Sequence, residues 1–64
     1  MDFYYIFEDV ETGELFAVIA ETDEEALNIL YAEDFDIMIM RIYDKFVADD
    51  YGDDLIDNYG LDVF

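Results

Sequence analysis

The chain has no cysteine, histidine or tryptophan and no serine anywhere along its length. Without histidine, cysteine or serine, neither a Ser-His-Asp nor a Cys-His constellation can be assembled, and thiolate and imidazole metal sites are equally out of reach. The missing disulfides are the usual staples of a small secreted domain, so their absence points to a reducing compartment and an expected cytoplasmic location. Long apolar runs are also missing. The longest, Leu15 to Ala20, is far short of the ~20 residues that span a bilayer, and no basic signal-peptide start precedes it. Cations are nearly absent, Arg41 and Lys45 standing against 19 Asp+Glu for a formal charge of -17. Nucleic acids and anionic membranes are polyanions and would repel such a chain, which leaves a basic protein as the expected partner, with no direct nucleic-acid or membrane binding.

What is present is unusual for so acidic a protein. The hydrophobic share is 56%, with six Phe and six Tyr among 64 residues, so apolar surface suffices for a packed core where most chains of this charge stay unfolded. A domain of this length buries only about 60% of the surface its unfolded chain exposes. A deep cleft is therefore not expected, and a marginal core with unpaired strand edges favours support from a partner or a homodimer.

Phe3 to Val10 is aromatic and β-branched and reads as a strand. Gly13, in Glu11-Thr12-Gly13-Glu14, supplies the positive φ of a short hairpin loop before the second apolar run, Leu15 to Ala20. Thr22-Asp23-Glu24-Glu25 forms a capping box, in which the Thr22 hydroxyl accepts from the Glu25 amide and the Glu25 carboxylate reaches back. A helix follows, with Ala26, Leu27, Ile29, Leu30 and Tyr31 on its apolar stripe and an end near Glu33-Asp34. Phe35 to Tyr43 is a short apolar run bounded by acids, whose periodicity does not separate a buried strand from a helix segment; its Ile content and a return beside the hairpin favour a third strand.

The tail carries Tyr51, Leu55, Ile56 and Tyr59 at helical spacing, with Asp49 or Asp50 as N-cap and Gly60 as the stop. Gly52 inside this helix costs about 1 kcal/mol relative to Ala, so irregular structure anchored by aromatics is the alternative. The expected fold class is thus α+β: one small domain over residues 1–64, ββαβ(α), an antiparallel sheet covered by one helix with a short acidic C-terminal helix.

Two carboxylates can perform acid–base work, but that chemistry needs a cleft that raises one pKa, and no enzyme activity or cofactor is expected. An EF-hand loop is not expected either. Aligning Gly52 to its glycine puts Val47 and Tyr51 at positions 1 and 5, and aligning Gly60 puts Leu55 at position 1.

The charge invites a comparison. A compact chain of this length has a radius of gyration of roughly 11 Å and a diameter of about 28 Å, over which duplex DNA, at one charge per ~1.7 Å, carries roughly 16 phosphates. In size, charge and the interleaving of acids with aromatics, the chain resembles the small acidic proteins of phages and mobile elements that mimic DNA and inhibit CRISPR effectors, restriction enzymes and uracil-DNA glycosylase. The resemblance lies in type and not in a motif, and no family residues carry over. It implies occupation of a positively charged DNA channel, with carboxylates in place of phosphates and exposed tyrosines adding buried area.

Two acidic groups are candidates for that surface. The preferred one is Asp49, Asp50, Asp53, Asp54, Asp57 and Asp62 with Tyr51 and Tyr59; the secondary one is Glu8, Asp9, Glu11, Glu14, Asp23 and Glu24, joined by Glu21 and Glu25, read as one group linking the hairpin loop to the first helix. Acids in a helix's first turn are explained by capping, whereas acids spread through a weak helix need another reason. The aromatics Phe3, Tyr5, Phe7, Phe16, Tyr31, Phe35 and Phe46 are expected in the core. Two other readings fit the same charge: an acidic adaptor or antitoxin-like module that binds a basic protein without imitating DNA, and solvation alone, as in halophilic proteins.

Overall fold

A computed structural model describes residues Met1–Phe64. Its elements are β1 (Phe3–Asp9), β2 (Leu15–Ala20), α1 (Asp23–Ala32), a single 3-10 turn (Ile37–Ile39), β3 (Met40–Val47) and α2 (Asp50–Tyr59). The three strands form one antiparallel sheet in the order β2-β1-β3. The order of elements is the expected ββαβα, and no helix is long and apolar enough to cross a membrane.

β1 lies at the centre and is apolar on both sides because both sides are covered. Tyr5 and Phe7 pair across the sheet with Val18 and Phe16, and this face packs against Ala26 and Leu30 of α1. The alternate residue Ile6 pairs with Ala17 on the opposite face, where Ile56 of α2 closes the second, smaller cluster with Phe46 and Tyr59 at its margin. The helices therefore take opposite faces, giving three layers, and each strand residue of the Tyr4–Phe7 run is buried or half-buried.

The helix ends follow local chemistry. The Thr22 side chain accepts from the Glu25 N–H at 3.1 Å, so the forward half of the capping box is present; the return bond from the Glu25 carboxylate is not formed. At the other end of α1, Asp34 adopts φ 65, and the Asp34 and Phe35 amides donate to the Tyr31 and Leu30 carbonyls, the two bonds of a Schellman ending. Asp49 caps α2 by accepting from Gly52 N–H at 2.8 Å, and Gly60 terminates it at φ 68, a backbone region that strains a residue with a Cβ.

The third strand begins later than expected. Phe35, Ile37 and Ile39 are half-buried and Asp36 and Met38 exposed, the alternation of a strand, yet Asp36 accepts from Met38 N–H at 3.1 Å and turns Ile37–Ile39 into one 3-10 turn. β3 then runs through Phe46 to Val47, past the expected end at Tyr43. Its pairing with β1 shifts register between Ile6 and Phe7, whose partners are Asp44 and Ile42, so that Tyr43 is the extra residue of a β-bulge.

Tyr31 is a second correction. It is 70% exposed, because at about 100° per residue it falls well to one side of the arc centred on Ala26 and Leu30. Phe3, Phe16, Phe35 and Phe46 pack at the margins of the core, and Tyr5 and Phe7 lie within it.

Candidate functional site

α2 divides into two sides. At about 100° per residue, Asp50, Asp53, Asp54 and Asp57 fall within an arc of roughly 100°, and all four are exposed, whereas Gly52 and Ile56 on the other side are buried against the sheet. Asp50 to Asp57 covers a rise of about 10.5 Å in three intervals, so successive charges are on average about 3.5 Å apart along the helix axis. That is close to the ~3.4 Å spacing of one DNA strand and about half the charge density of the duplex.

The stripe is seated by the sheet. The Tyr4 hydroxyl donates to Asp53 Oδ1 at 2.6 Å, linking β1 to α2. The Tyr59 hydroxyl donates to Asp44 Oδ2 at 2.9 Å, linking α2 to β3, and its ring stacks on Phe46 at 6.4 Å between centroids. The hydrogen bond to Asp53 holds the Tyr4 pKa above its ordinary value, with desolvation adding to it; for Tyr59 desolvation is the larger cause and the Asp44 hydrogen bond the next. Close packing also explains Gly52, where a Cβ would fall inside the contact distance of the Val47 carbonyl oxygen.

The structure brings only part of the preferred acidic group onto one surface. Tyr51, 72% exposed, stands beside the stripe, the position a contact residue needs. Tyr59 is half-buried and engaged, so it serves the fold. Asp49 is the N-cap, and Asp50 and Asp53 lie in the first turn, so these three have the same structural explanation that capping provides for α1. Asp54 and Asp57 have none, and Asp57 sits toward the negative end of the helix dipole. Asp62 lies beyond Gly60 on the tail that pairs with β2, off the stripe.

The secondary group is not one surface. The hairpin loop lies at one end of β2 and α1 begins at the other, about 17 Å of strand away. At the loop, Asp9 Oδ1 accepts from the Glu11 and Thr12 amides, and Glu8 pairs with Arg41; Glu11 and Glu14 remain exposed. At the far end, Asp23 is bound to Lys45 at 3.4 Å, while Glu21, Glu24 and Glu25 are exposed.

Tertiary structure instead joins the start of α1 to the start of α2. Ala20 and Val47 both pair with Phe3, so both helices begin at the same end of the sheet, and the Ala48 N–H donates to Asp2 O there. Asp2, Glu21, Glu24, Asp49 and Asp50 thereby share one end of the molecule. Asp2 and Tyr4 were missed as contributors because their relation to α2 exists only once β3 has paired beside β1.

The chain matches no family model, no curated protein and no solved structure. The radius of gyration is 10.9 Å and the body measures 31 × 21 × 15 Å. At one charge per ~1.7 Å, 31 Å of duplex would carry about 18 phosphates, against a net charge of -17 here.

Proposed function

We propose that the protein is a DNA mimic that inhibits a host defence nuclease, a CRISPR effector or a restriction enzyme, by occupying its positively charged nucleic-acid channel. The observation that carries this reading is the α2 stripe: exposed carboxylates at near-phosphate spacing, held by the Asp49 cap and the Tyr4–Asp53 hydrogen bond, with exposed Tyr51 alongside. Asp53, fixed before binding by the Tyr4 hydroxyl, loses less side-chain freedom when Arg and Lys of a target close on the stripe. The shared end of the two helices extends the anionic surface beyond α2, and its acids lie where helix dipoles stabilise them.

The test is competition. The protein is immobilised and exposed at about 150 mM salt to nuclease-treated bacterial lysate with and without excess duplex DNA. A retained nucleic-acid enzyme that DNA displaces supports mimicry. Retention that DNA leaves untouched replaces mimicry with an acidic adaptor, and no specific retention from a lysate containing such nucleases leaves solvation alone. Against an identified target, a combined Asp54→Asn, Asp57→Asn and Tyr51→Ala variant is expected to lose affinity ~100-fold or more. Glu11→Gln with Glu14→Gln, at the other end of the sheet, should change it little.

A further inference from the structure

The sheet has two edges, and only one is covered. On the outer side of β2, Val63 bridges Ala17, the Phe64 N–H donates to Ala17 O at 2.9 Å and the Ile19 N–H reaches Phe64 O at 3.4 Å. β3 pairs with β1 alone, and Arg41 to Lys45 along it are exposed. An exposed strand of this length is a template for pairing with another chain.

β3 also stands apart electrostatically. It contains both cations of the protein, Arg41 and Lys45, against the single carboxylate Asp44, while the rest of the chain has eighteen carboxylates and no cation. Two copies that meet through either helix bring acid against acid; through β3 they do not. Edge lysines commonly guard against such pairing, but here both cations are turned onto the faces of the sheet. Lys45 Nζ lies 4.6 Å and 5.1 Å from the ring centres of Phe3 and Tyr5 and contacts Asp23, and Arg41 meets Glu8 through Nε, leaving its terminal N–H groups as further donors.

The bulge completes the match. Arg41 opposes Glu8 and Asp44 opposes Ile6, so the shift at Tyr43 puts Arg41 and Asp44 on the same face although they are three residues apart. A two-fold antiparallel pairing centred between Ile42 and Tyr43 sets Arg41 opposite Asp44 of the second copy, and the symmetry makes this pair twice. Ile42, 42% exposed, then meets Tyr43 of the second copy, 53% exposed.

We propose that β3 is a self-association edge on which a second copy of this chain adds its own β3, forming a continuous six-stranded sheet. A basic partner segment is disfavoured there by Arg41 and Lys45, and the proposal does not depend on DNA mimicry.

Sedimentation of the wild-type chain over a concentration series, at about 0.1 M and about 1 M NaCl, tests it. The mass should rise from 7.6 kDa toward twice that value, and at lower concentration in high salt, where repulsion between two bodies of charge -17 is screened. Arg41→Asp should weaken association ~10-fold or more, and Arg41→Asp combined with Asp44→Arg should restore it by exchanging the two charges. Hydrogen exchange of the wild-type protein requires no variant to fold: β3 amides directed away from β1 should gain protection with concentration. A 7.6 kDa species throughout, an undiminished dimer in folded Arg41→Asp, or protection gained only outside β3 would each overturn the proposal.

Discussion

Replacing Gly52 by alanine tests the packing of α2 through the sign of the effect. In a solvated helix interior this substitution stabilises by about 1 kcal/mol, since Gly loses more backbone freedom on folding than Ala. At Gly52 an added Cβ would overlap the Val47 carbonyl oxygen, lie 3.0 Å from its carbonyl carbon and 3.4 Å from Asp49 Oδ1. None of these neighbours yields easily. Val47 is fixed by pairing with Phe3, Ala48 by its bond to Asp2, and Asp49 by capping the Gly52 amide itself. The remaining relief is for α2 to lift from the sheet, which loosens Ile56, whose full burial is worth about 1.5–3 kcal/mol. With overpacking and partial loss of the Ile56 burial together costing about 3 kcal/mol and the helix gain offsetting about 1 kcal/mol, the expected result is a net destabilisation of about 2 kcal/mol. At an m-value near 1 kcal/mol/M, the urea midpoint should fall by about 2 M. Asn58→Ala, exposed on the same helix, is the control and should raise stability by a few tenths of a kcal/mol. If Gly52→Ala also raised the midpoint, the close approach of α2 to β3 and the seating of the acidic stripe built on it would be refuted.

Two further perturbations address the tyrosines. The Tyr5 hydroxyl is buried without a hydrogen-bond partner, a state that costs about 1–3 kcal/mol; Tyr5→Phe should therefore leave thermal stability unchanged or raise it, and a clear loss in a melting experiment would show that the hydroxyl is bonded in solution. Tyr4, Tyr5 and Tyr59 have folded pKa values raised above 10.0, so their protonated forms are favoured by folding. That stability is present in full below about pH 10 and disappears as pH rises through the folded values. Melting temperature should drop steeply there, together with tyrosinate absorbance, and Tyr4→Phe should make the drop shallower; a flat profile to about pH 11 would contradict the hydroxyl-to-carboxylate links.

Features that depend on a few neighbouring residues were legible in the sequence. The hairpin around Gly13, the Thr22 cap, the limits of α1, and a cap at Asp49 or Asp50 and the Gly60 stop of α2 each follow from a backbone preference or hydrogen bond spanning five residues or fewer. The exposure of the Asp50, Asp54 and Asp57 carboxylates was legible for the same reason, as helical periodicity separates them from Ile56, whereas Tyr51, expected on the same apolar set as Ile56, is exposed. At Phe35 to Ile39 periodicity does not decide, and the Ile content that favoured a strand is overridden by a single Asp36 side-chain bond.

Tertiary structure decided what depends on residues far apart in the chain. Only the pairing of β3 with β1 directs α2 to the face opposite α1, brings the two helix starts to one end and places Val47 against Gly52. The same packing draws Tyr59 into service between Phe46 and Asp44 and leaves Tyr31 in solvent, a partition that composition cannot reveal because both are tyrosines on apolar stripes. The sequence by itself determined the magnitude of the negative charge and the residues that hold it. Which carboxylates are spent on caps, turns and ion pairs, and which stand free at phosphate-like spacing, followed from how three strands and two helices bury their apolar sides.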